Sequence, residues 1–80
     1  MMEVMCVRDA AIESFGRPFF VPHVGQALRE FTDEVRSTSS DSVVAKHPED
    51  YDLYHLGTFD PKDGSFSVLD IPRRIAFGRS

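Results

Sequence analysis

Strand periodicity and turn chemistry agree most closely between Tyr51 and Asp70. There two β-rich runs flank the segment Pro61-Lys62-Asp63-Gly64. The closing Asp-Gly tolerates positive φ, so the pattern predicts a β-hairpin with 61–64 as its loop. Asp60 then faces Ser65, Phe59 faces Phe66, Gly57 faces Val68 and Leu56 faces Leu69. One face of the hairpin carries Leu53, Phe59, Phe66 and Val68, and the other Tyr54, Leu56, Leu69 and Ile71. Neither is plainly the wet side, and a single helix can cover only one of them. Cover for the second is expected from Pro18 to Val21, from Ile75-Ala76-Phe77, or from a second copy of the chain.

A helical period appears once at useful length. Val24, Ala27, Leu28, Phe31 and Val35 recur at i, i+3, i+4, i+7 and i+11, with Gln26, Arg29, Glu30, Asp33, Glu34 and Arg36 opposite, which predicts a helix from His23 to Arg36 entered through Pro22. Met2 to Arg8 has apolar residues at both parities, as a strand covered on both faces would. Asp9 to Ser14 could start a helix, but Gly16 and Pro18 stop it, so a surface excursion is expected. Pro18-Phe19-Phe20-Val21-Pro22 is limited by its prolines to an extended segment or a short edge strand, with both phenylalanines over the core. The run 37–42 is expected to be a mobile loop, since its hydroxyl side chains compete for backbone hydrogen bonds. Pro48, Glu49 and Asp50 suit a single helical turn with His47 as its cap.

These elements predict an α+β fold: a small antiparallel sheet of three or four strands (Met2 to Arg8, the hairpin, and the tail as a fourth), with one main helix packed on one face. The expected organisation is one domain, 1–80, with a flexible loop at 37–42 and a basic C-terminal tail at 72–80.

Size changes this picture by making stability thin, because an 80-residue chain buries only about 60 to 65% of the surface exposed when unfolded. Dimerisation is an expected remedy. Seven phenylalanines and two tyrosines still supply one compact core. The one cysteine, Cys6, rules out an internal disulfide and reads as a structural thiol. No run approaches the roughly 20 apolar residues that cross a bilayer, and Glu3 stands where a signal peptide would want lysine, so a soluble, unexported protein without membrane contact is expected.

The net charge of −4 argues against coating nucleic acid by bulk attraction. Its distribution is uneven: Asp41 to Asp70 carries seven acids against Lys46 and Lys62, whereas the last ten residues hold Arg73, Arg74 and Arg79 and no acid.

His23, His47 and His55 lack the spacing that preorganises metal ligands, so no metal site is expected; His55 is placed across the hairpin from Asp70. Glu49, Asp50 and Asp52 crowd together on a solvated turn, without the apolar pocket that acid–base catalysis needs. With no glycine-rich phosphate loop or nucleophile elbow, neither enzymatic activity nor a cofactor is expected. Arg73, Arg74, Phe77 and Arg79 join backbone-binding cations to a base-stacking aromatic, the minimum set for single-stranded nucleic acid. A solvated charged end, with Phe77 as a core plug, is the plain alternative.

His47-Pro48-Glu49-Asp50-Tyr51, followed by Leu53-Tyr54, Leu56-Gly57, Phe59-Asp60 and Gly64 to Phe66, resembles the pattern of a small non-structural protein of gokushoviruses, the tailless single-stranded DNA phages of the microvirus group. Pro18-Phe19-Phe20, Val24-Gly25, Ala27-Leu28-Arg29 and Phe31 resemble it too. The resemblance covers roughly Met1 to Leu69. It implies a protein made in the cytoplasm of the infected bacterial host, absent from the virion, and assigned to viral DNA replication at the stage of single-stranded DNA synthesis. It carries no catalytic residues.

Two functions are therefore expected to compete. The first is a replication accessory protein binding single-stranded DNA through Arg73, Arg74, Phe77 and Arg79. The alternative is a dimeric protein-interaction module that regulates viral or host replication proteins without touching DNA. The net charge favours the second and the arginine cluster the first.

Overall fold

A computed structural model describes residues 1–38 and 41–78. In chain order they form β1 (Met2–Asp9), β2 (Ser14–Phe15), β3 (Phe19–Val21), α1 (Val24–Val35), α2 (Val43–Lys46), a 3-10 turn (Pro48–Asp50), β4 (Tyr51–Asp60) and β5 (Ser65–Phe77). The expected α+β fold of three or four strands with one main helix is corrected. Five strands join in one curled antiparallel sheet, and strand accounts for 47% of the structure against 25% helix. Two causes explain the difference. β2 is only two residues long, below the reach of any periodicity, and the extended segment expected between Pro18 and Pro22 becomes the short strand β3; both hydrogen-bond to β1. The expected tail also begins inside β5, which runs on to Phe77 for 13 residues.

The path across the sheet is β2-β1-β4-β5, with β3 also on β1. β1 is therefore central, and Val4, Met5 and Cys6 are buried in succession as a strand covered on both faces requires. One face packs against α1, where Met5, Val21, Ala27, Phe31 and Leu53 form the buried core and Phe19, Val24, Val35, Val44, Ile75 and Ala76 close around it. The amphipathic stripe of α1 largely holds, with Ala27 and Phe31 buried, although Leu28 is 38% exposed. Of the two phenylalanines expected over the core, Phe19 packs against it while Phe20 turns to the other face.

The hairpin register follows expectation from Asp60↔Ser65 through Phe59↔Phe66 to Gly57↔Val68, and then breaks. The next pair is His55↔Arg73, so Leu56 on one strand is spanned by residues 69–72 on the other. β1 skips at the same place, because Val4 pairs with Gly57 and Met5 with His55. An extra residue reverses the side on which all later side chains emerge. Leu53 consequently faces the helix while Phe59 and Phe66 lie opposite, beside Tyr54 rather than apart from it. Gly57 sits at the slip with φ +157°, and a Cβ there would meet the Ser67 carbonyl and the Val68 backbone.

The slip also overturns the pairing expected of His55. It stands opposite Arg73 rather than Asp70, and its Nε2 is 2.9 Å from Glu3 Oε1 on β1. Residues 43–46 form the short α2, capped by the Ser42 hydroxyl, which accepts from the Ala45 amide. His47 occupies the cap position of the 3-10 turn without a side-chain bond; its carbonyl accepts from the Asp50 amide instead. Ser39 and Ser40, at the centre of the expected loop, lie outside the described residues.

Candidate nucleic-acid interface

The residues expected to bind nucleic acid are distributed by the β4–β5 ladder. Leu53 pairs with Ala76 and Tyr54 with Arg74, so Ile75 is an extra residue on β5. Residues 74 and 77 would lie on opposite faces of a regular strand. The insertion brings them to one face, where the Arg74 guanidinium carbon lies 3.9 Å from the Phe77 ring centroid in a cation–π stack. Phe77 is 54% exposed, so it is no core plug. Arg73, in register with His55, falls on the helix side and is separated from Arg74 by the sheet. Arg79 lies outside the described residues.

Arg74 and Phe77 belong to a larger stripe on the face away from α1. Asp52 pairs with Phe77 in the ladder and places Oδ2 3.8 Å from Arg74 Nη1. That carboxylate steadies the guanidinium and offsets part of its charge. Tyr54, opposite Arg74 on one side and Cys6 on the other, meets the Phe15 ring edge-on at 5.1 Å and 72°. The Arg8 guanidinium lies 5.6 Å from the Phe15 centroid. Phe15, Tyr54, Arg74 and Phe77 thus cross the sheet from β2 to β5, with Arg8 beside Phe15.

Sequence reasoning missed Arg8, Phe15 and Tyr54 because they come from three separate segments. Phe15 stands beside Gly16, which with Pro18 read only as the end of a helix. Cys6 lies beneath this stripe, its thiol donating to the Gly16 carbonyl at 3.2 Å, and burial pushes its pKa up.

The same face continues toward the hairpin tip as an aromatic cluster. Phe59 and Phe66 are 4.8 Å apart between centroids, and Phe20 reaches them from β3 at 5.6 and 6.3 Å. The expected Phe59–Phe66 cross-strand pair is therefore present, and Phe20 supplies part of the cover that the second face needed. Phe66 remains 56% exposed.

Two further features lie away from this surface. His47, Glu49 and Asp50 bring one ligand atom each within 4.8 Å of one another on the exposed 3-10 turn. Carboxylates there favour the N-terminal end of the turn without any ion. On the helix side, an open groove of about 220 Å³ runs over Phe19, Phe31 and Val44, with Glu30 and Glu34 at its rim.

Residues 2–80 match the family model described as Phage ORF5 protein. The chain belongs to this phage ORF5 family. A stretch of 44 residues is 36% identical to Protein ORF5 of Chlamydia phage 1, covering 55% of this chain and 46% of that relative. The match therefore spans about half the relative's length. The expected resemblance holds: this ORF5-family chain is a small phage protein of the gokushovirus group. No solved structure matches it. Among the described residues, no helix of this family member is long and apolar enough to cross a membrane.

Proposed function

We propose that the chain is a non-structural accessory protein of viral DNA replication, binding single-stranded DNA in the cytoplasm of the infected host, without catalysing a reaction. The observation that carries this reading is the stripe in which Arg8–Phe15 and Arg74–Phe77 stack on either side of Tyr54. Exposed aromatic rings offer sequence-tolerant stacking worth about 1–3 kcal/mol per base, and each guanidinium can neutralise a phosphate. A net charge of −4 restricts the attraction to this local surface. The footprint is short, so weak, salt-sensitive binding fits it.

The test is a salt titration of binding to a fluorescent single-stranded oligonucleotide, for the wild type and for the Arg8→Ala/Arg74→Ala double variant. Affinity should fall as salt rises, and the variant should show a slope shallower by about 0.7 for each phosphate that is no longer neutralised. No binding at low salt would overturn the reading.

A second reading is favoured by a different observation. The ten residues Ser65 to Arg74 of β5 are all exposed, and they lie on a strand whose pairing partner among the described residues is β4 alone. A long apolar edge is a ready surface for protein association. On this reading the chain is a dimeric module that regulates viral or host replication proteins.

A further inference from the structure

The free edge of β5 specifies its occupant more closely than exposure alone would. Among its outward residues Phe66, Val68 and Ile71 are 56, 74 and 79% exposed. Edge strands are normally blunted by lysine, proline or an inward charge. β5 has Pro72 and the charges Asp70, Arg73 and Arg74, and all four lie in or beside the segment 69–72 that leaves the β4 ladder. That segment is where the strand has least to lose by pairing elsewhere.

We infer that β5 pairs antiparallel with β5 of a second copy of this chain, about a two-fold axis at Pro72 that sets Asp70 of each copy against Arg74 of the other.

Symmetry and charge select this register. A two-fold axis through an antiparallel pair of identical strands must place one residue opposite its own copy. Centring on Val68, Leu69, Asp70 or Ile71 sets Asp70 against Phe66, Val68, its own copy or Pro72 respectively, and none of these neutralises it. Centring on Pro72 gives Asp70 an arginine on both sides of the axis, and opposite charges directly across a ladder stabilise it. Leu69 then faces Ile75, and beyond that pair the insertion at Ile75 ends one-for-one counting. Pro72, which has no N–H to donate, meets its own copy where two such residues can face each other without a ladder hydrogen bond. An axis perpendicular to the sheet also keeps the aromatic stripes of both copies on the same side.

This inference rests on the dimeric reading but not on DNA binding, so it is tested without DNA. Sedimentation velocity is run on the wild type, Asp70→Arg, Arg74→Asp and an equimolar mixture of the two variants. The wild type should dimerise reversibly. Each single variant sets like charges against each other twice and should dissociate about tenfold more readily, ~1.4 kcal/mol. The mixture should recover wild-type association, because every cross-axis pair is then opposite in sign, and a misfolded variant could not produce that rescue. A wild type that is monomeric at every concentration would overturn both this register and the dimeric reading. A dimer indifferent to the single substitutions, or a mixture no tighter than its components, would overturn the register and leave the dimeric reading standing.

Discussion

His55 Nε2 and Glu3 Oε1 meet at 2.9 Å although 52 positions separate them in the chain. The contact joins β1 to β4 where both ladders slip, and His55 is only 9% exposed. Its other ring nitrogen, Nδ1, is buried without a partner among the described residues. Glu3→Ala would leave the imidazole unpaired at both nitrogens, and a buried polar group so orphaned costs about 1–3 kcal/mol. Glu3→Gln keeps an acceptor and should lose less. Urea denaturation of the two variants checks this order, and equal stability for Glu3→Ala and wild type would show that the pair contributes nothing.

Two glycines should respond in opposite directions to alanine. At Gly57 the φ of +157° and the Ser67 carbonyl both reject a Cβ, so Gly57→Ala should lose about 1–3 kcal/mol or more. At Gly25, the second residue of α1, a Cβ meets nothing within 4 Å, and Gly25→Ala should gain a few tenths of a kcal/mol, less than the ~0.5–1 kcal/mol of a mid-helix site. Melting temperatures of the two variants should bracket the wild type.

Leu53 is fully buried at 0% exposure between α1 and the sheet. Leu53→Ala should therefore cost about 2–5 kcal/mol, from forfeited transfer energy and the cavity left behind. In so small a domain that is a large share of total stability. Circular dichroism against urea would register it as an earlier midpoint.

Alkaline pH should destabilise the fold through two groups. Burial pushes the Cys6 thiol above its ordinary value of 9.0. Tyr51 is raised above 10.0, first by burial and then by the Asp9 carboxylate to which its hydroxyl donates and by Asp50. The folded chain keeps these protons at a pH where the unfolded chain has released them. Stability is thus fully present below the ordinary values and falls as pH rises through the elevated ones. Urea midpoints measured from neutral through alkaline pH should show the decline, with a shallower fall in Cys6→Ala.

The hairpin was legible in the sequence because its turn residues and alternation are local, and the register could be read as far as Gly57↔Val68. Beyond that point Leu56 is spanned by 69–72, and counting fails because parity assumes one residue against one. The α1 stripe was legible for the same local reason. β2 and α2 were not, since two and four residues are too few to display a period. Half of the candidate site follows this logic in reverse. Arg74 and Phe77 were named from composition, but only the extra residue Ile75 puts them on one face, and that insertion depends on how β4 lies beside them. Phe15 and Arg8 join them through strand pairing that no single segment encodes.

The broken β4–β5 ladder divides the hairpin into two lengths of zipper. The inner one, Asp52 to His55 against Arg73 to Phe77, is backed by α1 and shares its core; the outer one, Gly57 to Asp60 against Ser65 to Val68, carries the Phe59–Phe66 pair on the other face. With the seam at 69–72 interrupting cooperativity between them, the outer length can open while the inner one stays closed. Amide exchange would then run on two clocks within a single pair of strands, and the faster one would time how often the aromatic cluster at Phe20, Phe59 and Phe66 comes apart.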